Sequence, residues 1–303
     1  MRHATDKKQN IAENQYNGGG ACLAGDLHCH TKLSTGSMGI DDLIVLAKKQ
    51  GLTHIAITDQ DCMAGTVRGR VIGERHDIMV IHGVELSCTG PDGREVHMLC
   101  YMSDSPNRLE GLCHQNLLAR KKASQFMLLK FVSRFPVSHE LVHECAKGAT
   151  CFYPQHMMRA LLESGLTDRI YGDIFHELFD EDSENNILYP AKFPSPFEVL
   201  EAIHQAGGIA VLAHPGEKGA MELLEDLIAA GLDGVEVFHR SNTREVQKQL
   251  LGIAKNANIL VTGGSGFRGM YGSVTVGQSQ VNDSQINSLL TYKSRMKRRG
   301  VRS

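Results

Sequence analysis

The chain has no C-x-x-C pair, no excess of charge of either sign, and no apolar run near the about 20 residues of a membrane span. Each absence removes a class of function. A net charge of −2 and a pI near 6.7 create no demand for nucleic acid or a membrane surface as partner. The first residues, MRHATDKKQNIAENQYNGGG, are polar and lack an apolar signal core, so residues 1–20 read as a mobile tail. The eight cysteines, at 22, 29, 62, 88, 100, 113, 145 and 151, sit mostly in apolar segments. Without a signal peptide they read as reduced, buried thiols, and the expected location is cytoplasmic. No internal repeat is present. What the chain does have is histidine, 15 residues, several beside Asp, Glu or Gly in strand-like segments.

With 303 residues, 42% of them hydrophobic, the chain can bury one large core or a domain with an insertion. Strand patterns at 23–30, 53–61, 78–88 and 93–102 surround a helix pattern at 39–51, which has Asp41 and Asp42 in its first turn and Gly51 at its stop. This order indicates an α/β fold with parallel strands. From about 105 to 190 the pattern turns helical, clearest at 116–135 and 154–165. The α/β rhythm resumes with helices at 195–208, 220–231 and 243–258 and strands at 209–216, 232–239 and 259–266. The expected organisation is a barrel from 21–104 and 191–280, a helical insertion at 105–190, and a C-terminal helix or basic tail at 281–303.

Metal-competent residues recur at the ends of these strands. His28 and His30 in DLHCHT share one face of an extended chain, because side chains alternate with period 2. Asp59 and Asp61 follow HIAIT, Glu85 closes IHGVE, His97 lies in REVHML and His214 closes AVLAH. Parallel strands bring their C-terminal ends to one rim, where the sites of such folds lie. One histidine at a strand end is ordinarily structural; five His and Glu at successive ends point to a shared metal site.

DLHCHT, HIAITDQD, GVELS, VLAHPG and LVTGGSGF together resemble the signature blocks of the PHP (polymerase and histidinol phosphatase) superfamily, in family order. HMMRALLESG, YPAKFPSPFEVLEAIHQAGGIAVLAHPG and GVEVFHRSNT resemble its bacterial nucleoside-phosphate phosphoesterase branch, which includes 3′,5′-bisphosphate nucleotidases and 5′-end RNA phosphoesterases. The resemblance implies a distorted seven-stranded (β/α) barrel with metals at its C-terminal mouth. Carried over by position, it implies one metal on His28, His30 and Glu85, and a second on Glu85, His97 and His214. A third would need ligands where this chain has Thr35, Gln60 and Arg268, and the first lacks a ligand at Gly266. Threonine and glutamine are poor neutral ligands and arginine stays protonated, so two ions or fewer are expected, of Mn, Zn or Fe.

Arg268 returns a fixed positive charge to a site that has lost a cation. It reads either as a phosphate clamp or as space-filling after catalysis was lost. Asp59 is a candidate catalytic or orienting carboxylate. His156, Arg159 and Lys192, with Arg120, Lys121 and Lys122, are the cations available to hold a substrate phosphate. Two functions stay open: a metal-dependent phosphoesterase acting on a small phosphorylated substrate, a nucleotide or a short RNA 5′ end, and a catalytically impaired protein binding a phosphorylated ligand.

Overall fold

The computed structural model describes residues 24–217 and 219–299; the tail expected at 1–20, Cys22 and residues 300–303 lie outside the described residues. Eight strands form one sheet: β1 (Ala24–Cys29), β2 (His54–Ile57), β3 (Met79–Thr89), β4 (Glu95–Tyr101), β5 (Ile209–Leu212), β6 (Gly234–Phe238), β7 (Leu260–Gly263) and β8 (Val281–Asn282). Their order is β7-β6-β5-β4-β3-β2-β1-β8. The sheet curls until the segment after β7 meets the end of β1: Gly266 N–H donates to His28 O at 2.9 Å and His30 N–H to Phe267 O at 2.9 Å. At Gly264 a Cβ would lie 2.3 Å from the His28 Cβ, so only glycine allows the two backbones to close the barrel there.

Two expectations change. The sheet has eight strands rather than seven, because β8 adds two residues antiparallel to the start of β1, too few to show a period-2 pattern. And β4 is antiparallel to both neighbours, β3 and β5. Alternation of apolar residues carries no direction. The connection does: β3 and β4 are joined through the turn at 90–94, closed by Gly93 N–H to Gly90 O at 3.0 Å, far too short for a parallel crossover. The N-terminal end of β4 therefore shares a rim with the C-terminal ends of the parallel strands. That is how His97, near the start of its strand, reaches the same rim as His28 and His214.

Helices α1 (Ile40–Lys49) and α2 (Thr66–Arg75) follow β1 and β2. In α1, Ile40, Leu43, Ile44 and Ala47 are buried, the i, i+3, i+4, i+7 stripe of an amphipathic helix. Each such large apolar side chain contributes about 1.5–3 kcal/mol on burial. Between β4 and β5 run α3 (Asn107–Arg134), α4 (His139–Cys145), α5 (Pro154–Glu163), α6 (Asp173–Phe179) and α7 (Pro196–Gln205). The first four share an apolar cluster around Phe131, Met157, Met158, Leu161 and Leu178. Ser195 caps α7 in a capping box with Glu198, and Pro196 opens its first turn.

After β5 come α8 (Leu224–Ala229), α9 (Arg244–Ala257) and α10 (Asp283–Arg299). The last extends through most of the basic segment, and its Ile286 and Leu289 join Leu27, Ala56, Ile81 and Leu99 of the strands. The seven described cysteines are all free and buried, and no described helix is long and apolar enough to cross a membrane.

Candidate metal centre

Glu85, fully buried near the middle of β3, is the hub. Its Oε1 lies 3.1 Å from His214 Nε2, 3.3 Å from His97 Nδ1 and 3.3 Å from His28 Nε2. His97 Nδ1 and His214 Nε2 are 3.3 Å apart. The other carboxylate oxygen, Oε2, lies 3.5 Å from His30 Nε2. A β-bulge between Asp26 and Cys29 shifts the register of β1 just where it aims the two histidines. His214 sits at φ 28°, a left-handed backbone that a branched scaffold must hold in place.

These spacings fit a metal ion. Metal–ligand bonds of about 2.0–2.1 Å at tetrahedral angles separate neighbouring ligand atoms by about 3.3 Å. Several of the atoms concerned are also buried without a hydrogen-bond partner: His28 Nε2, His30 Nδ1 and Nε2, and Glu85 Oε2. Buried polar atoms are ordinarily paired, so such a cluster marks an ion site or a functional centre.

Carboxylates behind the histidines orient them. Glu236 on β6, fully buried, takes His28 Nδ1 at 3.0 Å and accepts from the His214 backbone N–H at 2.9 Å. Glu95 takes His97 Nε2 at 2.9 Å, and Glu217 lies 3.3 Å from His214 Nδ1. Each leaves the opposite ring nitrogen turned toward Glu85, the arrangement that fixes ligand tautomers.

Burial opposes charge on His28, but Glu236 and Glu85 outweigh it and push its pKa up to about 10. His97 rises to about 9 against burial, through Glu85 and Glu95. Burial would raise Glu85, yet His97 and His28 hold it well below the usual carboxylate range. His30 goes the other way: burial, helped by Arg268 and His28, lowers it well below an ordinary histidine. The centre thus favours ionised carboxylates, and a divalent cation held by these residues would supply positive charge to offset them.

The altered positions are rewired. Gln60 Nε2 donates to Ser87 Oγ at 3.2 Å and Glu95 Oε1 at 3.2 Å, and meets His97 Nε2 at 3.0 Å. Thr35 is buried with its hydroxyl unpaired. Arg268 is partly buried, its Nε has no hydrogen-bond partner, and its charge acts on His30, Glu217 and Arg240.

Asp59, read as a catalytic or orienting carboxylate, is buried beside the turn after His30. Its carboxylate accepts from Thr31 N–H at 2.7 Å, Thr31 Oγ1 at 2.6 Å and Ser34 Oγ at 2.5 Å, so it pins the turn after His30. Asp26 is spent in the same way on Ser265 and Gly277.

The cations expected to bind phosphate each have protein partners or surroundings of their own. His156 accepts from Tyr153 N–H at 3.2 Å, capping α5, and burial lowers its pKa to about 4, so it brings no charge to a phosphate. Arg159 pairs with Glu163 at 2.6 Å and reaches Tyr271 Oη at 3.3 Å. Lys192 is exposed. Arg120, partly buried, donates to Ser87 and Glu95 and stacks on Phe193.

Sequence reasoning did not single out Glu95, Glu217, Glu236 or His239. A signal existed for Glu236: a glutamate inside the apolar strand GVEVF must find a buried partner. The others sit at a strand start or in loops, where position carries no such constraint.

A nearly closed barrel with imidazoles gathered on one buried carboxylate at its rim defines a metal-dependent hydrolase. The PHP domain model matches residues 26–187, and the chain belongs to that family. It is 31% identical over 254 residues to a phosphoribosyl 1,2-cyclic phosphate 1,2-diphosphodiesterase of Eggerthella lenta, covering 82% of this chain and 95% of that protein. It is 27% identical over 261 residues to a 5′-3′ exoribonuclease of Haemophilus influenzae, covering 84% and 93%. A crystal structure from Bifidobacterium adolescentis, provisionally assigned as a metal-dependent phosphoesterase, superposes with a TM-score of 0.81 at 30% identity, over 88% of this chain and 95% of that one. The enzyme class is therefore that of the phosphoesterases.

Proposed function

We propose that this chain hydrolyses a phosphomonoester of a nucleotide or similar small molecule, a short RNA 5′ end included, using two divalent ions or fewer of Mn, Zn or Fe. The observation that carries this reading is the spacing of Glu85 Oε1, His97 Nδ1 and His214 Nε2, 3.1 to 3.3 Å apart, beside the unpaired ring nitrogens of His28 and His30. His28, His30, Glu85, His97 and His214 would hold the ions. When bound, such ions activate water and neutralise phosphoryl charge.

The chain's own residues do the rest. Glu236 and Glu95 hold the His28 and His97 rings in the ligand orientation. The guanidinium of Arg268 offers a planar pair of donors to phosphate oxygens, in the position where positive charge stabilises phosphoryl transfer. Asp59 holds the His30 turn. The helical segment at 105–190 would form the wall over this rim, with Arg159 at its edge beside Tyr271.

The test is phosphate release from nucleoside monophosphates, nucleoside bisphosphates and 5′-phosphorylated oligoribonucleotides, with and without added Mn²⁺. Metal-stimulated release that disappears in Arg268→Ala at limiting substrate supports the reading. Binding of these compounds without turnover, in protein loaded with metal, contradicts it.

A further inference from the structure

The loop after β6 places a histidine beside the centre to which the sequence reading gave no role. His239 is buried, and its ring lies 5.6 Å from that of His28 and 5.1 Å from that of His214, centroid to centroid. Metal-competent atoms of His28, Glu236 and His239 all lie within 4.8 Å of one another. Glu236 is already committed, to His28 Nδ1 and to the His214 backbone N–H. His239 Nδ1 is anchored by Ser241 Oγ at 2.7 Å, which turns Nε2 to the other side of the ring.

What Nε2 faces is Gly266. A Cβ at position 266 would lie 2.6 Å from it, a distance real Cβ atoms do not adopt. Gly266 also has φ +62°, where a side chain is strained. The glycine and the histidine are thus a matched pair: the ring can occupy this place only because residue 266 has no side chain.

We propose that His239 is a protein ligand of the metal centre, delivered by the loop after β6 and admitted by the glycine at 266. The inference rests on the metal-dependent reading above. It goes beyond it by naming a ligand outside the five residues assigned to the ions above.

The probe is Co²⁺, titrated into full-length protein and followed by visible absorption, a readout independent of turnover. His239→Ala should weaken Co²⁺ binding at least about tenfold and change the d–d spectrum, since even outer partners of ligands cost about 10–100-fold. His239→Cys should add a thiolate-to-cobalt charge-transfer band absent from the wild type, a signal that does not depend on the alanine variant folding. Gly266→Asp combined with His239→Ala should recover affinity, because a carboxylate then enters the vacated space. Wild-type affinity and spectrum in His239→Ala, or no charge-transfer band in His239→Cys, would overturn the proposal while leaving the phosphoesterase reading standing. Failure of the wild type to bind Co²⁺ would overturn both.

Discussion

The two rims of the barrel bury charge in opposite ways. At the N-terminal rim the buried charges of Asp233 and Lys293 are answered by protein. Asp233, before β6, accepts from His204 Nε2 at 2.9 Å, Ala210 N–H at 2.9 Å and Tyr292 Oη at 2.6 Å. Lys293 on α10 pairs with Asp104 at 2.7 Å and donates to Gly207 O. At the C-terminal rim His28, His30, Glu85 and Arg268 leave buried nitrogen or oxygen atoms without hydrogen-bond partners. Asp233 and Lys293 are buried, as His28, His30 and Glu85 are. The difference is saturation, and it separates groups that hold the fold from groups held ready for a ligand.

The sharpest way to break this comparison is to remove the hub. Glu85→Ala should leave less than about a tenth of the wild-type metal content and lower phosphoesterase turnover by at least about 100-fold, since it removes a ligand rather than a ligand's support. Elemental analysis and phosphate release check this; wild-type metal content in the variant would contradict it.

The same truncation at the other rim should do the reverse. Asp233→Ala strands three buried donors and should cost about 3 kcal/mol of stability, leaving metal content per folded chain unchanged. Denaturant unfolding measures the first and elemental analysis the second. The pH dependence is specific. Burial pushes the Asp233 carboxyl up, but the His204, Ala210 and Tyr292 donors bring it below the ordinary range. Its contribution to stability is therefore complete above the unfolded value of about 3.9 and is lost as pH falls toward the folded one. Asp233→Asn should flatten that acid limb.

Arg268→Ala should raise KM about 10–100-fold with metal content intact, the size expected for one charge-assisted pair to phosphate. A loss of metal instead would place Arg268 among the groups that support the ion site. Gln60→Ala should have the smallest effect, about 1 kcal/mol in stability and a few-fold in turnover, because Glu95 still holds His97.

Much of this contrast was legible in the sequence, and unevenly so. His28, His30, Glu85, His97 and His214 were visible because each stands in or beside an apolar strand pattern, and the structure brings the four histidines to within 3.5 Å of the Glu85 carboxylate. Strand existence was readable for the same reason, while the direction of β4 was not, since alternation has no polarity and only the five-residue turn before it decides. Asp59 was legible as a catalytic or orienting carboxylate; its partners, the hydroxyls of Thr31 and Ser34, come from a turn whose shape no pattern encodes. His156 carried a family-like position, but its place at the third residue of α5 makes it a cap. His239 was invisible for a different reason. Its role depends on what is missing at Gly266, 27 residues away in sequence, and only the barrel's closure brings the two together.

Most direct for the central claim is the metal content per chain, by elemental analysis of protein purified without chelator or added metal. The unsaturated rim predicts a stoichiometric divalent ion, one to two per chain, bound through Glu85. A chain that emerges with none, and takes up none when Mn²⁺, Zn²⁺ or Fe²⁺ is supplied, would contradict it.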